Sequence, residues 1–317
     1  MRKKKSIMVV TPRFPYPLIG GDRVRIYSIC KELSEVYDLT LVSLCESKLE
    51  MHYTVPDDNV FARVERIYLP KWISYLNVLL NLFSSLPMQI AYYRSDEFSK
   101  IVENMSKRHD LVLCHLIRSG QYVADLNIPK ILEMTDAISL NYKRIKENSE
   151  IRGYKATLYR IEQKRLEAYE KAIVTKFNYC SLISSVDRDY IYGDGVEPKN
   201  SVIVGNGVTY SDLPYQFVQS IAPNTTKRLI FIGVVTTVQN WDALYWFAKQ
   251  VMPILLQQGD YRLDVVGRID RDKEKILDII PGIRVVGTVG SIPEATKGGL
   301  VGICPMRIGA GVQTKVL

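Results

Sequence analysis

The chain has 317 residues, of which 47% are hydrophobic and 24% charged, and its formal net charge is +8. That composition is ordinary for a soluble globular protein of one large or two medium domains. The basic excess favours anionic partners such as nucleotide diphosphates, lipid phosphates or an acidic membrane surface. Nucleic acid is set aside, because no zinc, RNA-recognition or helix-turn-helix signature and no long single-sign block accompanies that excess. The five cysteines, Cys30, Cys45, Cys114, Cys180 and Cys304, form no CxxC pair and sit inside apolar runs, as reduced buried thiols do. The basic residues 2–5 could open a signal peptide, but the apolar run 7–10 is too short for one and reads as a first strand.

In chain order, 6–11 is a continuous apolar strand followed by the loop Pro12-Arg13-Phe14-Pro15-Tyr16-Pro17 and the pair Gly20-Gly21. Asp22 is expected to cap a helix reaching about Val36, with Val24, Ile26, Tyr27, Ile29, Cys30 and Leu33 on its apolar face. Further strands are expected at 38–44, 64–69, 111–116, 131–134, 179–183 and 202–204, with helical patterns between most of them. Such alternation, with strands apolar throughout, predicts an α/β fold with a parallel sheet covered on both faces. Residues 72–83 read WISYLNVLLNLF, with Ser74, Asn77 and Asn81 as a thin polar stripe. Twelve residues cannot span a bilayer. The helix is expected either to pack in the core or to dip from Trp72 to Phe83 into a membrane interface, with Lys71 and Arg94 flanking it. The helical pattern 154–174, with Leu158, Ile161, Tyr169 and Ile173 on one face, is expected to be structural.

Between Tyr210 and Lys227 the composition turns to Ser, Asp, Pro, Asn and Thr, which marks a linker. The expected division is therefore a first domain at 1–209, a linker at 210–227 and a second domain at 228–317. In the second domain apolar runs end at Gly233, Gly267, Gly287 and Pro305, giving four strands. The final GAGVQTKVL reads as a glycine turn opening a helix. Gly309, Ala310 and Gly311 allow close backbone approach there, Lys315 lies one turn on, and Arg307 precedes the turn. A helix start with free N–H groups and a nearby Lys and Arg is chemistry for a diphosphate. No GxGxxG follows a strand, so a dinucleotide enzyme is disfavoured. Asp187-Arg188-Asp189 and Asp270-Arg271-Asp272 could chelate a metal, but lie among Arg and Lys at helix starts, where capping and salt bridging are expected.

The second half, from Leu229 through GAGVQTKVL, resembles the donor-sugar domain of GT-B glycosyltransferases, specifically the large retaining family 4. The motifs Pro12–Pro17, Gly21-Asp22, Arg25 and Asn240-Trp241-Asp242-Ala243-Leu244-Tyr245-Trp246-Phe247 are similar to a subgroup of group 1, PEP-CTERM-type sugar transferases, over essentially the whole chain. The resemblance implies two Rossmann-like domains, the first for acceptor and the second for a nucleoside-diphosphate sugar, with no metal and no other cofactor. In that family the last motif continues KVLE, and the Glu holds ribose. This chain stops at Leu317, so the second domain is expected to be incomplete and this form weakly active or inactive. It departs from the family at 234–239, which has neither Arg nor Lys, and at Ala310, where the first Glu of an E-x7-E motif would fall.

By the same resemblance His115, at the end of its strand, stands near the transferred sugar, and Asp136 orients an acceptor or sugar hydroxyl. A structural histidine and a helix cap are the plainer readings. Gly20 and Gly21 face donor phosphate, and Asn240 stands in for the missing basic residues at a helix start, or simply caps it. Asn206-Gly207 reads as a tight turn. The implied function is retaining, metal-independent sugar transfer to a cell-surface glycan or lipid-linked acceptor, in the cytoplasm at the inner membrane face. A non-catalytic sugar-nucleotide or partner-binding protein and a GT-B sugar-nucleotide epimerase are the alternatives.

Overall fold

The computed structural model describes residues 4–148, 153–207 and 226–308. The chain divides into two compact units, one formed mainly by Met1–Lys143 and Arg152–Asn206, the other mainly by Gly207–Gly309.

The first unit runs β1 (Ser6–Thr11), α1 (Gly21–Ser34), β2 (Asp38–Cys45), α2 (Lys48–His52), β3 (Arg63–Tyr68), α3 (Lys71–Leu80), α4 (Met88–Tyr92), α5 (Asp96–Ser106), β4 (Leu111–His115), α6 (Ile117–Gly120), β5 (Lys130–Thr135), α7 (Ile138–Asn148), α8 (Tyr154–Ile173), β6 (Tyr179–Leu182), α9 (Ser185–Tyr192) and β7 (Ser201–Ile203). All seven strands lie in one parallel sheet of order β3-β2-β1-β4-β5-β6-β7. Met8, Val10, Val42, Leu44 and Cys114 fill one apolar cluster, while Ile7, Val9, Leu39, Leu41 and Leu113 fill another. Alternate side chains of each strand thus enter two cores, which is why the strands are apolar throughout. The strand order reverses at β1, so a crevice is expected beyond the carboxyl ends of β1 and β4.

Three expectations need correcting here. Asp22 does not cap α1. Gly20 is the N-cap, with φ of 108°, and the Asp22 carboxylate instead accepts from Arg13 Nη1 at 3.2 Å. The segment 72–83 is not core: Trp72 is 66% exposed, Leu79 65%, Leu80 73% and Phe83 96%. Its polar stripe faces the protein instead. Ser74 is buried, and Asn77 Nδ2 donates to the Arg94 carbonyl at 2.9 Å, which turns the leucines outward. In α8, Leu158 and Ile161 are exposed, whereas Glu162 and Glu170 are buried because they serve backbone donors of neighbouring segments. The loop after β1 carries its aromatics inward: Phe14 and Tyr16 are buried and pack on Tyr53.

The second unit runs β8 (Lys227–Ile232), α10 (Val238–Trp246), a π-helical turn at Phe247–Val251, α11 (Met252–Gln258), β9 (Tyr261–Val266), α12 (Arg271–Asp278), β10 (Ile283–Gly287), α13 (Ile292–Thr296) and β11 (Val301–Gly302). Its four strands form a parallel sheet of order β10-β9-β8-β11. Phe231, Leu244, Met252, Leu263, Val265 and Leu277 form its core. Most of the linker expected at 210–227 lies outside the described residues.

Candidate functional site

The carboxyl end of the first sheet gathers the chemistry of the first unit. After β1 the chain enters α1 through Gly20, which as N-cap supplies no side-chain cap to that helix start. A Cβ on Gly21 would meet nothing within 4 Å. The first N–H groups of α1 are therefore open to an anion at the positive end of a helix dipole.

His115 is the last residue of β4 and is 3% exposed. Its Nδ1 lies 2.5 Å from Glu133 Oε2 of neighbouring β5. Glu133 Oε1 accepts from Arg25 Nε of α1 at 2.8 Å and from the Thr135 backbone N–H at 3.1 Å. Burial alone pushes the Glu133 carboxyl up; the hydrogen bond and charge of His115 and the Arg25 guanidinium outweigh it and hold it down to about 2. An ionised Glu133 fixes the proton on Nδ1, so the ring presents Nε2 as its other polar atom. Arg25 also donates to the carbonyl of Val204 at 2.8 Å and to Asn206 Oδ1 at 2.8 Å. The Asn206 turn is therefore tied into the same network. Leu116 follows His115 with φ of 63° and ψ of 148°, a conformation that costs a side-chain-bearing residue about 1–3 kcal/mol. The backbone thus turns sharply at the point where His115 sits.

Asp136 lies beyond the end of β5, half-buried. Helix capping does not occupy it. The Ala137 N–H donates to Asp187 Oδ1 at 3.0 Å, and the Ile138 N–H to Glu170 Oε1 at 2.7 Å. Burial pushes the Asp136 carboxyl up to about 6, the Asp187 carboxylate adds to the rise, and Arg118 opposes it. The Asp136 carboxyl also takes a hydrogen bond from its own backbone N–H, and Asn141 Nδ2 stands 3.5 Å from Oδ2. Burial likewise lifts Glu170 to about 8, against the hydrogen bonds from Ser139 and Ile138. The Asp187-Arg188-Asp189 pair is engaged locally: Asp187 is fully buried, and Asp189 pairs with Arg188 at 2.9 Å.

In the second unit the strand ends are built from backbone. A Cβ on Gly267, whose φ is 132°, would stand 2.1 Å from the Gly233 carbonyl oxygen, so the ends of β8 and β9 meet without side chains. Asn240 is not the N-cap expected from sequence. Thr237 caps α10, accepting from the Asn240 N–H at 3.4 Å, because the helix starts earlier than the motif suggests. The Asn240 side chain folds back over Gly233, and its Nδ2 donates to the Val234 carbonyl at 3.0 Å. Lys273 Nζ donates to the carbonyls of Val235 and Thr236 at 3.0 Å each, so a lysine from α12 braces the loop that itself lacks Arg and Lys. Arg307 is held by Asp242 of α10, with Nε 3.1 Å from Oδ2 and Nη2 2.5 Å from Oδ1. Gly309, Gly311 and Lys315 lie outside the described residues.

The structure thus brings His115 and Asp136 to adjacent strand ends of one sheet, with Gly20 and Gly21 at the helix start after β1. Sequence reasoning missed Glu133, Arg118, Lys273 and the roles of Glu170 and Asp187. A charged residue inside the apolar run ILEMT was the available signal for Glu133. Nothing in the sequence pointed to Glu170, which lies on a helix of mixed charge.

Two parallel sheets of this kind invite comparison with known proteins. A sucrose-phosphate synthase from Thermosynechococcus elongatus superposes with a TM-score of 0.60 at 13% identity, over 90% of this chain and 71% of that one. Anabaena HepE, solved with UDP and glucose, gives 0.52 at 11% identity over 93% and 72%. The lipopolysaccharide outer core galactosyltransferase WaaB, in its apo form, gives 0.51 at 11% identity over 92% and 71%. The fold is GT-B. Residues 226–317 match the family described as glycosyl transferases group 1. No curated protein matches the chain. Among the described residues, no helix is long and apolar enough to cross a membrane.

Proposed function

We propose that this chain is a glycosyltransferase that moves a sugar from a nucleoside-diphosphate donor to a cell-surface glycan or its lipid carrier. The observation that carries the reading is the group 1 match across 226–317 on a GT-B fold. Unit 1 takes the acceptor and unit 2 the nucleotide. In the retaining course implied by resemblance to family 4, the leaving diphosphate helps take the acceptor proton on the face where transfer occurs. The protein's part is then orientation and charge: His115, held by Glu133, offers Nε2 to the transferred sugar, and Asp136 orients a hydroxyl. Donor phosphates are met without a metal by backbone N–H groups at Gly20, Gly21, Gly309 and Gly311, by Lys315, and by Arg307 braced on Asp242. Asn240 keeps the Gly233 loop in shape beside the nucleotide.

The outward leucines of 72–83, with Lys71 and Arg94 exposed nearby, favour peripheral contact with an anionic bilayer at the cytoplasmic face. Incubation with UDP-, GDP- and dTDP-sugars, with and without alkyl glycoside acceptors and with EDTA present, tests the reading. HepE was solved with UDP, so UDP-sugars are the first donors to try. Any transfer, expected to be weak in this form, should survive EDTA and preserve the anomeric configuration. A donor sugar altered in the absence of acceptor would instead make the chain an epimerase, and nucleotide binding with no turnover would make it a binder.

A further inference from the structure

A cavity of about 490 Å³ opens in the first unit beyond the carboxyl ends of β1, β2 and β4, where Arg13, Glu46 and Arg118 line it. That volume is in the range of small-molecule sites, roughly 300–1,000 Å³. Its far wall comes from α7 and α8 through Tyr142, Tyr159 and Glu162. The Tyr142 and Tyr159 rings lie 5.2 Å apart, and the Arg118 guanidinium sits 5.7 Å over Tyr93.

The polar groups on this wall are incompletely used. Arg118 Nε donates to Gln89 Oε1 at 3.0 Å, which leaves its terminal nitrogens without a hydrogen bond among the described residues. Glu162 is 2% exposed; its carboxylate serves the backbone N–H groups of Met88 and Gln89 at the start of α4, with Oε1 3.4 Å from the Gln89 nitrogen, while Oε2 has no hydrogen bond within normal geometry among the described residues. Arg13 Nε is likewise without a hydrogen bond, although Glu46 Oε2 stands 3.3 Å away as an ion pair. Donors and an acceptor are therefore unfilled together, and the two lining arginines face Glu46 and Glu162, with Asp22 also paired to Arg13. A phosphate offers acceptors only and an ammonium donors only, whereas a hydroxyl offers both. The tyrosine rings add apolar faces for C–H groups.

We propose that this cavity binds a neutral sugar ring, with Arg118 and Glu162 reading its hydroxyls and Tyr159 covering one face. Only the statement that this ring belongs to the acceptor rests on the transferase reading; the sugar site itself does not. Arg118 lies three residues beyond His115 in the chain, so the cavity opens at the same carboxyl end of the sheet.

Calorimetric titration of the whole chain without donor, using methyl glycosides of glucose, galactose and mannose and, separately, inorganic phosphate, tests this. At least one glycoside should saturate and phosphate should not. Arg118→Ala and Glu162→Gln should each weaken that glycoside roughly tenfold, the loss expected of a hydrogen bond to a charged group. Tyr159→Ala, at a half-buried position, should weaken it without threatening the fold. UDP titrated into the same samples should be unaffected. Saturation by phosphate alone, no binding of any glycoside, or unchanged glycoside binding in variants that are folded by circular dichroism would overturn the proposal. Glycoside binding with neither binding of any nucleotide nor turnover of any donor would overturn the transferase reading and leave this one. Turnover whose acceptor KM ignores Arg118→Ala and Tyr159→Ala would do the reverse.

Discussion

The two sheets of this protein finish their strands in opposite ways. At the carboxyl end of the first sheet, side chains do the work: Arg25, Glu133 and His115 form a buried hydrogen-bonded chain that also ties down the Asn206 turn. At the corresponding end of the second, glycines clear the way. Gly233 and Gly267 touch backbone to backbone, and Asn240 and Lys273 brace the loop from outside by binding its carbonyls. A site that must orient an acid or base needs locked side chains, and a site that must admit a phosphate needs bare N–H groups. One strand–helix layout thus finishes its sheets by two different means.

The contrast can be broken most severely at Glu133. Glu133→Ala leaves Arg25 buried without its carboxylate and should cost about 3–5 kcal/mol, measured by urea denaturation. Glu133→Gln keeps the shape and should cost less, while shifting the pH dependence of turnover through the His115 ring. Equal stability losses for the two would show that the charge is not what matters there.

Gly267→Ala attacks the other sheet. A Cβ 2.1 Å from the Gly233 carbonyl, on a backbone with φ of 132°, should cost upwards of about 1–3 kcal/mol. The loss should appear in tryptophan fluorescence, since Trp241 and Trp246 are in the second unit, while the first unit keeps its stability. A variant that melts with the wild type would mean that this backbone contact is not tight.

The buried acids of the first unit give pH slopes of opposite sign. Glu133 is depressed from 4.5 to about 2, so its stabilising contribution is present above 4.5 and is lost as pH falls through that window. Glu170 is raised from 4.5 to about 8, so its contribution is full below 4.5 and is lost as pH rises towards 8. Glu170→Gln still accepts from Ile138 and should flatten the alkaline decline. Melting curves across that range would show an unchanged slope if Glu170 ionises at its ordinary value.

The smallest effect on stability is expected on the outward face of α3. Leu79→Ser with Leu80→Ser should change stability by no more than about 0.5 kcal/mol per site, as exposed substitutions do. The same variant should bind vesicles of anionic phospholipid less well in a flotation assay. Unfolding of the double variant would return 72–83 to the core, and unchanged vesicle binding would remove the membrane contact.

Much of the fold was legible because continuously apolar strands separated by helical patterns have few other uses. The seven strands of the first sheet fall within a residue of their expected ends, and the four of the second end near the glycines and proline that marked them. His115 and Asp136 were singled out because both lie at the carboxyl ends of strands in a parallel sheet, where ligands collect. Orientation was harder. The periodicity of WISYLNVLLNLF shows a polar stripe, but which way it faces depends on the Arg94 carbonyl that Asn77 reaches.

The sequence by itself determined the strand–helix alternation, the parallel sheets and the glycine strand ends, because hydrophobic period and backbone freedom are local properties of the chain. Tertiary structure alone decided the partners. Glu133 meets Arg25 across 108 residues, and Arg307 meets Asp242 across 65. Capping of α7 passes to Glu170 and Asp187 rather than to the adjacent Asp136. A carboxylate becomes a strong acid, a near-neutral base or a structural cap according to what surrounds it once it is buried, and those surroundings come from segments far apart in the chain.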